Sequence, residues 1–212
     1  MNLAQLVHIV GDEPVFETGL LLAGDVDPAM CAASCRAGHG QEKCFSCVGA
    51  STHLRPLSKV KPHPFVVANR MVRSSYVSCE SALAYYGLIP EYAPTVVSVT
   101  PSRPGRWQTA LGGFIFHHLK VSFWRGYRLT KLVGSQQAFI ATPEKALLDL
   151  IYLRPGADSY EFLSELRLQN LERIDLTAIL QWATELDSPK LNRAVMHITQ
   201  LARLEETMYE VL

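Results

Sequence analysis

The spacing of apolar residues along this chain changes character several times, and each change marks an expected element. Leu3, Leu6, Val7 and Val10 recur at helical spacing and predict a short amphipathic helix. Pro14 suits the first turn of a second helix over VFETGLLLAG, ended by Gly24, and Asp27 followed by Pro28 reads as the N-cap and first position of a third. Short helices in such quick succession predict a helix-turn-helix head. From Cys31 to Ser58 the pattern fails. Large aliphatic residues are few, no period of 3.6 or 2 persists, and no strand pair is expected.

Order returns at KVKPHPFVVANRM. Ser78 is placed to cap a helix carrying Ala82, Leu83, Tyr86 and Leu88, with a stop at Gly87 or Pro90. TVVSVT predicts a β-branched strand, and GGFIFHHLK and VSFWRGYRLT are further strand candidates. His117 and His118 alternate across theirs, which separates them and leaves one as a candidate buried or interfacial histidine. FIAT runs into the helix PEKALLDLIYL, with Thr142 as N-cap, Pro143 in first position and Glu144 in the first turn. One closing helix starts near Asp175. The other is opened by Ser188 and Pro189 and carries Leu191, Val195, Ile198 and Leu201 or Ala202 on one face. The expected fold class is α+β, with a winged-helix-like head over residues 1–60 and a mixed α/β domain over 61–212.

Composition narrows the function classes. With 212 residues, 48% of them hydrophobic, the chain can bury a core. Its formal charge of +0 supplies no global field, so any affinity for DNA has to come from a local patch. Arg36, Lys43, Lys59, Lys61, Arg70 and Arg73 are the candidate DNA-binding cations. Arg103, Arg106, Arg125 and Arg128, interleaved with Trp107, Trp124 and Tyr127, form a second candidate surface, for RNA or a protein partner. No basic leader and no apolar run of roughly 18 residues is present, so a cytoplasmic protein that does not engage a membrane is expected. Five cysteines without an export signal argue against a disulfide framework.

The segments YVSCESALAYYGLIPE and FIATPEKALLDLIYL, in this order and separation, resemble the AbiEi antitoxin family, over roughly residues 63–205. The resemblance implies a winged helix that binds the operator of its own toxin-antitoxin operon. It also implies a C-terminal domain that counteracts a nucleotidyltransferase-like toxin, with no catalysis and no cofactor. The alternative is a partner- or RNA-binding module that has lost DNA binding. A metal-dependent nuclease using Glu144, Lys145 and Asp149 ranks third, because Glu144 stands one and five positions from the other two and shares a helical face with neither.

Cys31 to Ser58 departs from the family, since a winged helix needs a cationic recognition helix followed by a two-stranded wing. Three readings stay open. Cys31, Cys35, His39, Cys44 and Cys47 contain enough ligands for a tetrahedral zinc site, although only the last pair has knuckle spacing. The segment can also be an ordinary loop. The third reading is an out-of-frame stretch between compensating indels: codon degeneracy lets a one-base shift across positions 31–57 encode a basic amphipathic helix, a turn, and two β-rich arms around Arg-Arg-Gly. Sequencing the gene decides this, with shifted codons for that basic string expected and any other codons contradicting it. Near-stoichiometric zinc that is lost in Cys44→Ala points to the metal site instead.

Overall fold

A computed structural model of the chain describes residues 15–17, 45–48, 51–54, 61–90, 94–109 and 111–210, with the first three stretches and 205–210 described by backbone alone. The first and third helices expected in the head lie outside these residues. At Val15–Glu17 the chain is a strand, β1, where a helix was expected. β2 (Phe45–Val48) and β3 (Ser51–Leu54) form an antiparallel hairpin inside the segment expected to lack a strand pair. β3 also pairs antiparallel with β1, Phe16 opposite Thr52, giving the order β1-β3-β2. Long-range pairing overrides local pattern in both places.

The remaining elements build a six-stranded mixed sheet and its helices. They are α1 (Pro64–Met71), β4 (Tyr76–Val77), α2 (Cys79–Tyr85), β5 (Thr95–Thr100), β6 (Gly105–Thr109), β7 (Gly112–His118), β8 (Tyr127–Lys131), β9 (Gln137–Ala141), α3 (Pro143–Leu153), α4 (Tyr160–Glu165), α5 (Leu176–Glu185) and α6 (Pro189–Glu210). The sheet order is β6-β7-β5-β4-β9-β8; β5 runs parallel to β7 and β4 parallel to β9, while the other neighbours are antiparallel. An α+β fold class therefore holds for the described residues. VSFWRGYRLT is a strand only from Tyr127; before it, Val121–Phe123 is a 3-10 turn.

Burial explains which strands sit centrally. On β5 every residue from Val96 to Thr100 is buried, so both faces of the sheet are covered there, as a β-branched run requires. The outer strands β6 and β8 carry half-buried and exposed residues instead. Helix starts follow local chemistry. Thr142 Oγ1 accepts from Lys145 N at 3.3 Å, and Asp175 Oδ1 accepts from Thr177 N and Ala178 N at 2.9 and 3.0 Å. On α6, Leu191, Val195, Ile198 and Ala202 are buried on one face, as their spacing predicts. Two glycines hold positions that a side chain would strain. Gly87, at φ +69°, ends α2, and Gly126, at φ +71°, lets the Trp182 ring of α5 come within 2.7 Å of where a Cβ would stand.

β4 is too short to pair with all of β5, and α2 completes the ladder. Beyond the strand, Ser78 N donates to Val97 O at 3.1 Å. One turn later, Ser81 Oγ accepts from Val97 N at 2.8 Å and donates to Thr95 O at 3.4 Å. The buried amide of Val97 thus has a side chain where another strand would stand. Ser81→Ala removes that acceptor, and a loss of about 1–3 kcal/mol is expected in urea unfolding, without a change in m.

Candidate functional site

β4 and β9 are parallel, with Val77 opposite Ile140, and each runs directly into a helix. α2 and α3 therefore leave the same end of the sheet side by side. Between them lies a buried polar centre. Asp149 on α3 accepts from Tyr76 Oη at 3.1 Å and from Ser78 Oγ at 2.7 Å through one carboxylate oxygen. Its other oxygen accepts from Lys145 Nζ, one helical turn earlier. The side chains of Lys145 and Asp149 are 3% and 0% exposed. Lys145 Nζ also lies 5.8 Å from the Tyr76 ring centre and 6.0 Å from that of Phe123, on the electron-rich side of this arrangement. Tyr76 in turn stacks on Tyr127 at 4.5 Å and meets Trp124 at 4.9 Å.

Electrostatics follow from burial. Loss of water pushes the Asp149 carboxyl above its ordinary range, against the pull of Lys145 and the hydrogen bonds from Ser78 and Tyr76. Burial, then the Asp149 charge, pushes the Tyr76 hydroxyl far up. The Cys79 thiol is raised by burial first and Asp149 second, so it stays protonated and unreactive. Every polar atom at the centre already has a partner, and a substrate would have to displace one of them. The arrangement holds two helices and a strand together.

Several expectations change here. Ser78 occupies the N-cap position of α2 but makes no side-chain cap, because its hydroxyl is drawn to Asp149. Lys145 and Asp149 do share a helical face. Glu144 points elsewhere, its Oε1 accepting from Asp175 N at 3.1 Å at the start of α5. The arginine-aromatic surface divides as well: Arg103 and Arg106 lie at the β6 edge and Arg125 and Arg128 at the β8 edge, with the sheet, roughly 24 Å of strand spacing, between them. Arg125 pairs with Glu185 at 2.6 Å, and Trp107 packs edge-on against Phe116. His117 and His118 are both exposed at the end of β7, so neither is a buried histidine, and of the two alternatives the interfacial one remains.

Among the six candidate DNA-binding cations, Arg36, Lys43 and Lys59 lie outside the described residues, as do Cys31, Cys35, His39 and Cys44; Cys47 is described only by its place on β2. Lys61, Arg70 and Arg73 are exposed. Gln136 fixes the chain at Lys61, donating to its carbonyl at 3.1 Å while accepting from His63 N at 2.7 Å. Arg70 and Arg73, at the far end of α1, come together in a cleft of about 520 Å3 that the sequence did not reveal, shared with Trp124, Tyr127 and Phe139. Among the described residues no three His, Cys, Asp or Glu side chains converge as metal ligands, and no helix is long and apolar enough to cross a membrane.

Compared with known proteins, the chain matches no protein-family model, and no curated protein matches it. The buried pair makes its own prediction. Asp149→Leu strands the Lys145 ammonium and should cost about 3–5 kcal/mol of unfolding free energy, whereas Lys145→Met combined with Asp149→Leu should recover at least half of that loss. Denaturant unfolding of the singles and the double measures the coupling, and simple additivity would contradict it.

Proposed function

We propose that the chain is a non-enzymatic DNA-binding regulator with antitoxin activity, of the AbiEi type. Its head would repress its own operon at operator DNA, and its larger unit would counter a nucleotidyltransferase-like toxin. The observation that carries this reading is the strand order β1-β3-β2 with a tight antiparallel hairpin at its end. A winged helix has that form: a strand, a helix pair, then a two-stranded wing that returns beside the first strand. Val48 stands opposite Ser51, and Gly49 and Ala50 separate the two strands in sequence.

The position of the hairpin adds support. β2 and β3 occupy the same positions as the two β-rich arms expected around Arg-Arg-Gly in the out-of-frame reading of Cys31 to Ser58. Lys61, exposed just after the head and anchored by Gln136, is suited to a phosphate contact that positions the head without reading sequence.

Gel-shift titration with the DNA upstream of the gene, at several salt concentrations, tests the proposal. A specific complex is expected, with an affinity that falls by about 0.9 log units per log unit of salt for each phosphate contacted. Lys61→Ala should lower that slope by about one contact's worth, and absence of a complex at low salt contradicts the proposal.

A further inference from the structure

α1 begins at a proline, and one residue satisfies the amides that follow it. A helix leaves the amides of its first turn without partners inside the helix. Pro64, at the first position, has no N–H to satisfy. The next three amides all turn to His63. Phe65 N donates to the ring Nδ1 at 3.2 Å, and Val66 N and Val67 N donate to the His63 carbonyl at 3.0 and 3.2 Å. The bond to the ring alone depends on protonation, because an imidazole nitrogen accepts when it carries no proton and an imidazolium has no acceptor. His63 therefore caps α1 through its side chain in the neutral form, with its proton on Nε2.

The surroundings favour that form. His63 is half-buried; its ring meets Phe65 edge-on at 4.8 Å, and Phe65 in turn lies 5.8 Å from Tyr85 of α2. Burial pushes the His63 pKa below its ordinary value, and among the described residues no charged neighbour offsets this. The positive end of the helix acts in the same direction, and no acidic side chain stands in the first turn. α1 packs against β1, β4, β5 and β9. β5 and β9 carry no charged side chain, β4 offers the Tyr76 hydroxyl, which is bound to Asp149, and Glu17 of β1 is described by backbone alone. On α2, Glu80 is paired with Arg154 at 3.4 Å. Lys61 is exposed, and Arg70 stands in the last turn of α1.

The cap sits at a junction. Gln136, buried in the turn between β8 and β9, accepts from His63 N at 2.7 Å and donates to Lys61 O at 3.1 Å, which ties this backbone to the sheet. Here the chain coming from β3 enters the larger unit, and α1 lies against β1 of the smaller sheet as well. We infer that His63 is a proton-operated clasp: neutral, it closes the start of α1; protonated, it loses Phe65 N and lets the first turn open while the Gln136 bonds hold the backbone. The unfolded chain takes up this proton more readily than the folded one. The stabilising contribution of His63 is therefore complete above about pH 6.5 and is lost as pH falls through the lower value of the folded chain. The clasp acts whether or not the head binds an operator.

NMR titration of the full chain tests this, following the His63 ring and the exchange protection of the Phe65 amide, corrected for the intrinsic pH dependence of exchange. The ring should titrate below about pH 6.5. Phe65 protection should fall with it, about fivefold or more between roughly pH 7.5 and pH 5, while β5 amides fall by less than about twofold. His63→Asn supplies a cap that does not titrate, and its Phe65 protection should stay within about twofold over that range. His63→Ala should already show near pH 7.5 the low protection that the unaltered chain reaches near pH 5. Thermal melting checks the fold of each variant, and His63→Asn decides alone where His63→Ala fails to fold. A ring that titrates at or above about pH 6.5 overturns the inference. So does Phe65 protection that does not follow the ring, or a fall in His63→Asn equal to that of the unaltered chain.

Discussion

Asp149 is a carboxylate with no exposure to water, and three segments of the chain must reach it to make that tolerable. An uncompensated buried charge costs several kcal/mol, far more than a misplaced methyl group. Tyr76 and Ser78 approach from β4 and the start of α2, and Lys145 from one turn back on α3. A slip of α3 by one residue against β4 would leave the carboxylate without its donors, so the centre fixes how the helices sit at their end of the sheet. The parallel pairing of β4 with β9 aligns the two strand-to-helix exits, and the aromatic stack of Tyr76, Tyr127 and Trp124 seals the centre from the cleft side.

In this polar centre Tyr76, Ser78 and Lys145 all donate to the Asp149 carboxylate, which ties β4, α2 and α3 together. Residues that resemble a catalytic set in sequence divide between two structural tasks: Lys145 and Asp149 neutralise each other, and Glu144 joins α3 to α5. Among the described residues, the cleft at the end of α1 brings cationic and aromatic side chains together at the surface. The three-stranded sheet built from β1 and the β2-β3 hairpin is a second element of a different kind. The proposed regulator would use both, the smaller sheet within its head and the larger unit toward a partner.

Legibility in the sequence followed the range of the interactions involved. Where local chemistry decides, the elements were readable: Thr142 with Pro143, Asp175, and Ser188 with Pro189 each mark a helix start that the structure retains. TVVSVT was readable as a strand because a β-branched run suits a sheet covered on both faces. Interactions across the chain were not readable. β1 is a strand because Phe16 meets Thr52, and β6 forms against β7 although GRWQT alternates only weakly. Ser78 looks like a cap until Asp149, 71 positions later, takes its hydroxyl. The buried pair did leave a trace, since Lys145 and Asp149 stand four apart within an apolar helix, but comparing each of them only with Glu144 hides it. The cleft left none, because Arg70, Trp124 and Phe139 come from three separated segments.

The central claim is that this chain controls its own expression through the head. Its most direct test is a reporter fused to the gene's own promoter, read in cells with and without the intact chain supplied in trans. The account predicts lower reporter output when the chain is present, and recovery of output when residues 45–54, the hairpin and its turn, are removed. Output that is unchanged by the chain would contradict it.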